Sequence, residues 1–204
     1  MEGYYDKYRN SIRLKGWDYT RPGNYFVTIC TKHRLHHLGE IRNGIIGLSE
    51  PGIIAHAYWL EIPDHYSHVV LDDFVVMPNH IHGILKLKQN DDLKEKTDVD
   101  PLNSTDLQQS NQHKTLKQLS KISPQSGSLS EIIRTYKGAV TRWCNKNAFE
   151  EFAWQRRFYD HIIGHRRSLN KIREYIRNNY IDWSKEEGKN YHFHESAVKY
   201  IAKE

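Results

Sequence analysis

Hydrophobic positions gather into seven segments whose spacing predicts strands or helices. Residues 24–31 are rich in aromatic and β-branched side chains and predict a strand. Gly44 and Gly47 mark a turn region. Ser49 then supplies an N-cap and Pro51 a first-turn proline for a helix ending near Pro63, with Ile53, Ala57 and Leu60 as its buried positions. Residues 69–77 predict a second strand and residues 79–88 a third. Only Pro78 separates them, which implies an antiparallel hairpin. Ser128 caps the clearest helix, in which Leu129, Ile132, Ile133, Tyr136, Val140 and Trp143 recur at helical spacing. Residues 158–163 predict a short strand. Ser168 opens a last helix reaching about Asn179, with Leu169, Ile172 and Ile176 as its apolar stripe.

The order β-α-β-β-α-β-α contains the βαββαβ pattern of a ferredoxin-like fold. That α+β architecture is a four-stranded antiparallel sheet with two helices on one face and the first and third strands at its centre. The added C-terminal helix is free to cover the other face. Residues 1–22 show no sustained period and read as a basic, aromatic arm. The domain spans 23–183, and 184–204 form a tail. Within the domain, residues about 89–127 turn to Asp, Asn, Gln, Ser, Lys and Thr with no aromatic. Such a segment cannot bury enough apolar surface to offset its ordering entropy, so a disordered insert is expected.

Charge adds a partner. Lys and Arg number 30 against 25 Asp and Glu, a net +5, which favours a polyanion, most often nucleic acid; a well-solvated surface is the alternative. The two cysteines, Cys30 and Cys144, stand far apart in no motif. They argue against a disulfide framework or a cysteine zinc site and fit a reducing cytoplasm. No apolar stretch approaches the roughly 18 residues of a membrane span, and the N-terminus has no signal-peptide core, so a soluble cytoplasmic protein without a membrane partner is expected.

The third strand carries Pro78-Asn79-His80-Ile81-His82-Gly83. Strand side chains alternate, so His80 and His82 share a face while Ile81, Leu85 and Leu87 take the other; only Ile84 breaks the pattern. Two adjacent imidazoles on a central strand can ligate one divalent metal and leave positions open for water and phosphate. The chain has 13 histidines, so an isolated His-x-His is more often structural. The hydrophobic hairpin behind this pair sets it apart from His192 and His194, which sit in a polar tail. On the last helix, Tyr175 and Asn179 are spaced i, i+4 and share a face. Around them lie Arg156, Arg157, Arg166, Arg167, Lys171, Arg173 and Arg177, a phosphate-contacting composition. Tyr159 and Tyr180 compete with Tyr175 as a reactive hydroxyl, but Tyr159 precedes Asp160 and Tyr180 lies past the expected helix end.

Val76-Met77-Pro78-Asn79-His80-Ile81-His82-Gly83 resembles the HUH signature (His, hydrophobic, His) of single-tyrosine transposases. Trp154-Gln155-Arg156-Arg157-Phe158-Tyr159-Asp160-His161-Ile162-Ile163 and Ile172-Arg173-Glu174-Tyr175-Ile176 resemble the C-terminal half of that family. Ser11-Ile12-Arg13-Leu14-Lys15-Gly16-Trp17-Asp18-Tyr19, Gly23-Asn24-Tyr25-Phe26-Val27-Thr28-Ile29-Cys30 and Ser128-Leu129-Ser130-Glu131-Ile132-Ile133 resemble its branch of REP-associated tyrosine transposases. The resemblance implies a divalent metal, Mg²⁺ or Mn²⁺, on His80 and His82, and Tyr175 as a nucleophile that becomes linked to a 5′ phosphate. Insertion-sequence members complete the metal site with a glutamine four residues after the tyrosine. Here that position is Asn179, which offers the same carbonyl one methylene shorter. The implied partner is single-stranded or hairpin DNA, met by Arg13, Lys15, Lys137, Arg156, Arg157, Lys171 and Arg173. The family includes monomers and dimers, so a homodimer stays open. Two other readings remain: a non-catalytic single-stranded nucleic-acid-binding module of the same fold, and a replication initiator or relaxase sharing the chemistry.

Overall fold

The computed structural model describes residues 13–14, 16–89 and 124–185. Most of the insert, most of the arm, the tail with His192 and His194, and Lys15 lie outside the described residues. The elements are β1 (Gly23–Cys30), β2 (Gly39–Arg42), β3 (Ile45–Leu48), α1 (Glu50–Leu60), the short α2 (Ile62–His65), β4 (Val69–Met77), β5 (His80–Leu87), α3 (Leu129–Lys146), β6 (Tyr159–Ile163) and α4 (Arg166–Lys185). β4, β5, β1 and β6 form one antiparallel sheet in that order, so β1 and β5 occupy its centre as the ferredoxin-like pattern requires.

Alternation along the central strands builds two different faces. Tyr25, Val27 and Ile29 of β1 and Ile81, Leu85 and Leu87 of β5 pack under α1 and α3, against Trp59, Leu129, Ile132, Ile133 and Val140. Gly83 is needed there, because a Cβ at that position would stand 2.3 Å from Cζ2 of Trp59. Phe26, Ile84, Tyr159 and Ile163 face the other way and are covered by Ile172 and Ile176 of α4. Ile84 therefore breaks no pattern. It shares the histidine face, and that face is apolar where the helix lies on it.

Ser49 caps α1 by accepting from the Gly52 amide, and Ser128 caps α3 by accepting from Glu131. The buried side of α1 differs from the expected one. Pro51, Gly52, Ala55 and Trp59 are buried, while Ile53 is 56% and Leu60 50% exposed. Apolar residues surround this helix on most sides, so period cannot choose a face. Trp59 chooses it, by filling the space beside Gly83. The glycines near position 45 belong to an unforeseen hairpin, β2–β3, whose turn residues Asn43 and Gly44 both have positive φ (53° and 74°), as a type I′ turn demands. α4 runs past Asn179 to Lys185, because Tyr180 and Trp183 continue its inward stripe against Ile41 and Met77. Tyr180 thus lies within the helix, not beyond it.

Candidate nuclease site

The site stands where β1, β5 and α4 meet. The cross-strand register sets Thr28 opposite His82 and Cys30 opposite His80, all pointing to the α4 side. Both histidines are fully buried. The Asn79 amide donates to the Arg34 carbonyl at 3.1 Å, which leaves its oxygen facing His80 Nδ1 at 2.7 Å. His80 therefore carries its proton on Nδ1 and presents Nε2 as an acceptor toward His82. His82 Nδ1 lies 2.9 Å from the Thr28 hydroxyl. The two Nε2 atoms stand 3.0 Å apart.

Burial keeps both imidazoles uncharged. It pushes His80 down to about 3, with the nearby Arg34 charge adding to the effect and Asn179 opposing it. Burial, then the neighbouring His80 and Arg34, hold His82 well below the usual histidine range. Neutral imidazoles are the form that ligates metal.

Helix α4 delivers the rest. The Tyr175 hydroxyl lies 3.4 Å from His82 Nε2, a contact rather than a strong hydrogen bond, and its ring sits edge-on to Phe26 with centroids 6.3 Å apart. One turn later Asn179 is 1% exposed. It lies close enough to His80 to favour that ring's charged form, yet neither atom of its carboxamide makes a well-formed hydrogen bond. A buried amide left unmatched is costly and calls for an explanation. Trp183, a further turn on, lies tilted beside His80 and His36 with ring centroids 5.8 and 5.5 Å away.

These donors fit a divalent ion. Two ligands about 2.1 Å from a metal at about 90° stand about 3.0 Å apart, which is the separation of the Nε2 pair. Asn179 Oδ1 would end its unmatched state as a third ligand. Among the described residues no group of three His, Cys, Asp or Glu is placed to hold a metal, so an amide oxygen is the available addition.

The predicted basic residues divide into two groups. Lys137, Arg156, Arg157 and Arg13 meet around one groove of about 470 Å³, with Ser130, Arg134, Ile133 and Phe158. Lys137 donates to the Gln155 carbonyl at 2.6 Å, and burial lowers its ammonium to about 8. Arg13 lies between the rings of Tyr19 and Phe158, bonds Ser130 and pairs with buried Asp160 at 3.4 Å. Its role here is at least partly to pin the chain preceding β1. Arg173, by contrast, faces the sheet and grips Asp72 with two nitrogens, at 2.8 and 2.6 Å. Arg177 pairs with Asp73 at 2.8 Å. A bulge between Leu71 and Phe74 brings these consecutive carboxylates to the same helix. Lys171 is half-buried on α4.

Sequence reasoning missed Arg34, Asp72, Asp73 and Trp183. The Asp-Asp pair inside an otherwise apolar strand was the one legible signal among them.

A solved REP-associated tyrosine transposase, bound in its structure to a REP hairpin, shares this fold with a TM-score of 0.52. The likeness covers 84% of this chain and 74% of that one at 17% identity. A family model described as "Transposase IS200 like" matches residues 117–179. An uncharacterized protein of Haemophilus influenzae is 35% identical over 181 residues, 88% of this chain and 92% of the relative. The fold and its tyrosine-bearing helix define a transposase-like α+β domain. The chain shares a family with the Haemophilus influenzae protein, and its residues 117–179 match the IS200-like transposase family.

Among the described residues no helix is long and apolar enough to cross a membrane.

Proposed function

We propose that this protein cuts and rejoins single-stranded DNA beside hairpins, through a 5′-phosphotyrosine on Tyr175. The observation that carries the reading is the convergence on one point of the Tyr175 hydroxyl, the paired Nε2 atoms and the unmatched Asn179 amide. Tyr175 Oη forms the new bond to phosphorus. The bond from phosphorus to the 3′ oxygen breaks, the phenol proton is lost and the departing oxygen gains one. The phosphotyrosine keeps the energy of the broken phosphodiester, so rejoining to another 3′ hydroxyl needs no nucleotide cofactor. A Mg²⁺ or Mn²⁺ ion held by His80, His82 and Asn179 would supply charge stabilisation of the attacked phosphate, an effect of several kcal/mol. Thr28 and Asn79 hold the two rings in register. Phe26 and Ile84 keep water from the inner side of the tyrosine. The tyrosine and both histidines come from one chain, so the reading needs no second copy.

The groove of Lys137, Arg134, Arg156 and Arg157 is the surface this reading assigns to the DNA backbone. Phe158 and Ile133 offer an apolar wall for an unstacked base. A silent binding module that stacks bases on its open sheet is disfavoured, because Phe26 is 0% exposed beneath α4.

The test is incubation with hairpin oligonucleotides carrying single-stranded flanks, with Mn²⁺ or Mg²⁺, followed by a denaturing gel. A protein–DNA adduct is expected with the native chain and none with Tyr175→Phe, while hairpin binding persists. An adduct that survives Tyr175→Phe and vanishes in Tyr159→Phe would move the nucleophile to β6.

A further inference from the structure

We propose that the guanidinium of Arg34 grips a non-bridging oxygen of the phosphate that Tyr175 attacks. This rests on the phosphotyrosine reading above and adds a residue to it.

The chain leaves β1 at Cys30 and turns sharply. His33 and Arg34 both have positive φ, 55° and 56°, a conformation that residues with a Cβ rarely adopt and that two in succession adopt more rarely still. Surrounding bonds enforce it. The Thr31 amide donates to the Asn79 carbonyl at 2.9 Å and the Arg34 amide to Thr31 at 3.1 Å. The Thr31 hydroxyl is within reach of the Leu35 and Asn79 carbonyls, and the Asn79 side chain returns to the Arg34 carbonyl. The turn is thus stapled to the residue beside His80. Two of these bonds use the backbone of Arg34, and none needs its side chain.

That side chain is nonetheless turned inward. Nη1 of Arg34 is buried and has no hydrogen-bond partner. The turn that carries it stands against the histidine pair, because the Asn79 side chain that holds the Arg34 carbonyl also turns its oxygen to His80 Nδ1 at 2.7 Å. Arg34 is half-buried, and a buried guanidinium nitrogen without a partner is destabilising in the resting protein. A divalent metal nearby would make the local potential still more positive. An anion would relieve it, and the planar guanidinium fork suits a phosphate in particular. The unmatched amide of Asn179 belongs to the same neighbourhood, one turn after the Tyr175 hydroxyl that reaches His82 Nε2. An unmatched guanidinium nitrogen and an unmatched amide beside a histidine pair are what a metal-bound phosphate would satisfy together. Charge that grows on the phosphate oxygens during attack would be met by a group already in place.

Arg34→Met keeps the stem and removes the charge. In Mn²⁺, with a pool of hairpin oligonucleotides of randomised sequence and single-stranded flanks, its adduct formation should fall about 100-fold or more. Capture of the same hairpins should stay within a few fold, and Arg34→Lys should recover part of the loss. The melting temperature of DNA-free Arg34→Met should match or exceed that of the native chain, which a structural arginine would not allow. Adduct formation at the native rate in Arg34→Met overturns the proposal, as does a melting temperature several degrees lower. If the native chain forms no adduct with the pool, the nuclease reading fails, and inorganic phosphate decides Arg34 separately. Phosphate raising the melting temperature of the native chain but not of Arg34→Met supports an anion grip; equal shifts refute it.

Discussion

The two faces of the central sheet are built to different specifications. The face under α1 and α3 is a closed apolar core, where Trp59, Phe152, Tyr136 and the aliphatic residues of β1 and β5 fill space and the tyrosine hydroxyl finds the Ala55 carbonyl at 2.8 Å. The face under α4 is apolar only over half its length, around Phe26, Ile84 and Ile172. Its other half buries two histidines, Thr28, Asn79 and Asn179, with amide atoms unmatched. Burying polar groups without partners is unfavourable. The other face also leaves single atoms unmatched, at the indole nitrogens of Trp59 and Trp154. Only the α4 face gathers two imidazoles and a carboxamide at one point, and that cluster separates the region that reacts from the region that stabilises.

The largest expected effects run in opposite directions on the two faces. His80→Ala or His82→Ala should abolish metal-dependent adduct formation and cost far less stability than a core truncation, because each removes a neutral ring beside the unmatched Asn179 carboxamide. Trp59→Ala should do the reverse. Removing that ring opens a cavity beside Gly83 and should cost about 3–5 kcal/mol of stability, while adduct formation below the melting range persists. Urea melts and adduct gels on the same three variants decide it. Loss of stability in His80→Ala equal to that in Trp59→Ala would erase the division between the faces. The same donor set sharpens the point through the metal. Magnesium prefers oxygen ligands and gives up its waters reluctantly, so Mn²⁺ should sustain the adduct at lower concentration than Mg²⁺, and a chelator should abolish it.

The two faces were also unequally legible. Period two along β5 placed His80 and His82 together on one side, because a strand admits no other arrangement of i and i+2. The helical pattern of α3 and its Ser128 cap were equally plain. The side of α1 was not, since its apolar residues surround the helix and a single long-range contact, Trp59 over Gly83, settles its rotation. Nor was Arg34 visible: its placement comes from two left-handed residues stapled to Asn79, 45 positions away. The Asn43-Gly44 turn was readable in principle, as two residues suited to positive φ between apolar pairs. Arg173 shows the opposite limit. As a cation among cations it reads as a phosphate contact, and only the bulge at Asp72 gives it a carboxylate instead.

A smaller effect concerns the edge between the faces. Binding of single strands should weaken with salt, with log K falling against log salt at a slope of about −4 if about six phosphates are met. Arg156→Gln combined with Arg157→Gln should flatten that slope by about 1.4, while the rate of adduct formation at saturating DNA stays near native. A slope unchanged by the pair would remove the groove from the DNA surface.

The smallest effect tests what holds α4 on its face. Asp72 and Asp73 reach Arg173 and Arg177 on either side of Tyr175. Asp72 is held below the usual carboxylate range, first by its hydrogen bonds from Arg173, with burial opposing. A depressed native pKa means the bridge contributes fully above the unfolded value of about 4 and is lost as pH falls through the lower native value. Both partners are partly exposed, so Asp72→Asn should lower stability by no more than about 1 kcal/mol at pH 7, and the deficit should vanish in acid. Its effect on adduct formation should be out of proportion to that, a several-fold loss with hairpin binding intact, because the helix that loosens is the one carrying the nucleophile. The exchange Asp72→Arg with Arg173→Asp restores opposite charges across the same gap. Partial recovery of adduct formation in the double variant, beyond the sum of the single losses, would show that the pair positions Tyr175; additive losses would leave it an ordinary surface bridge.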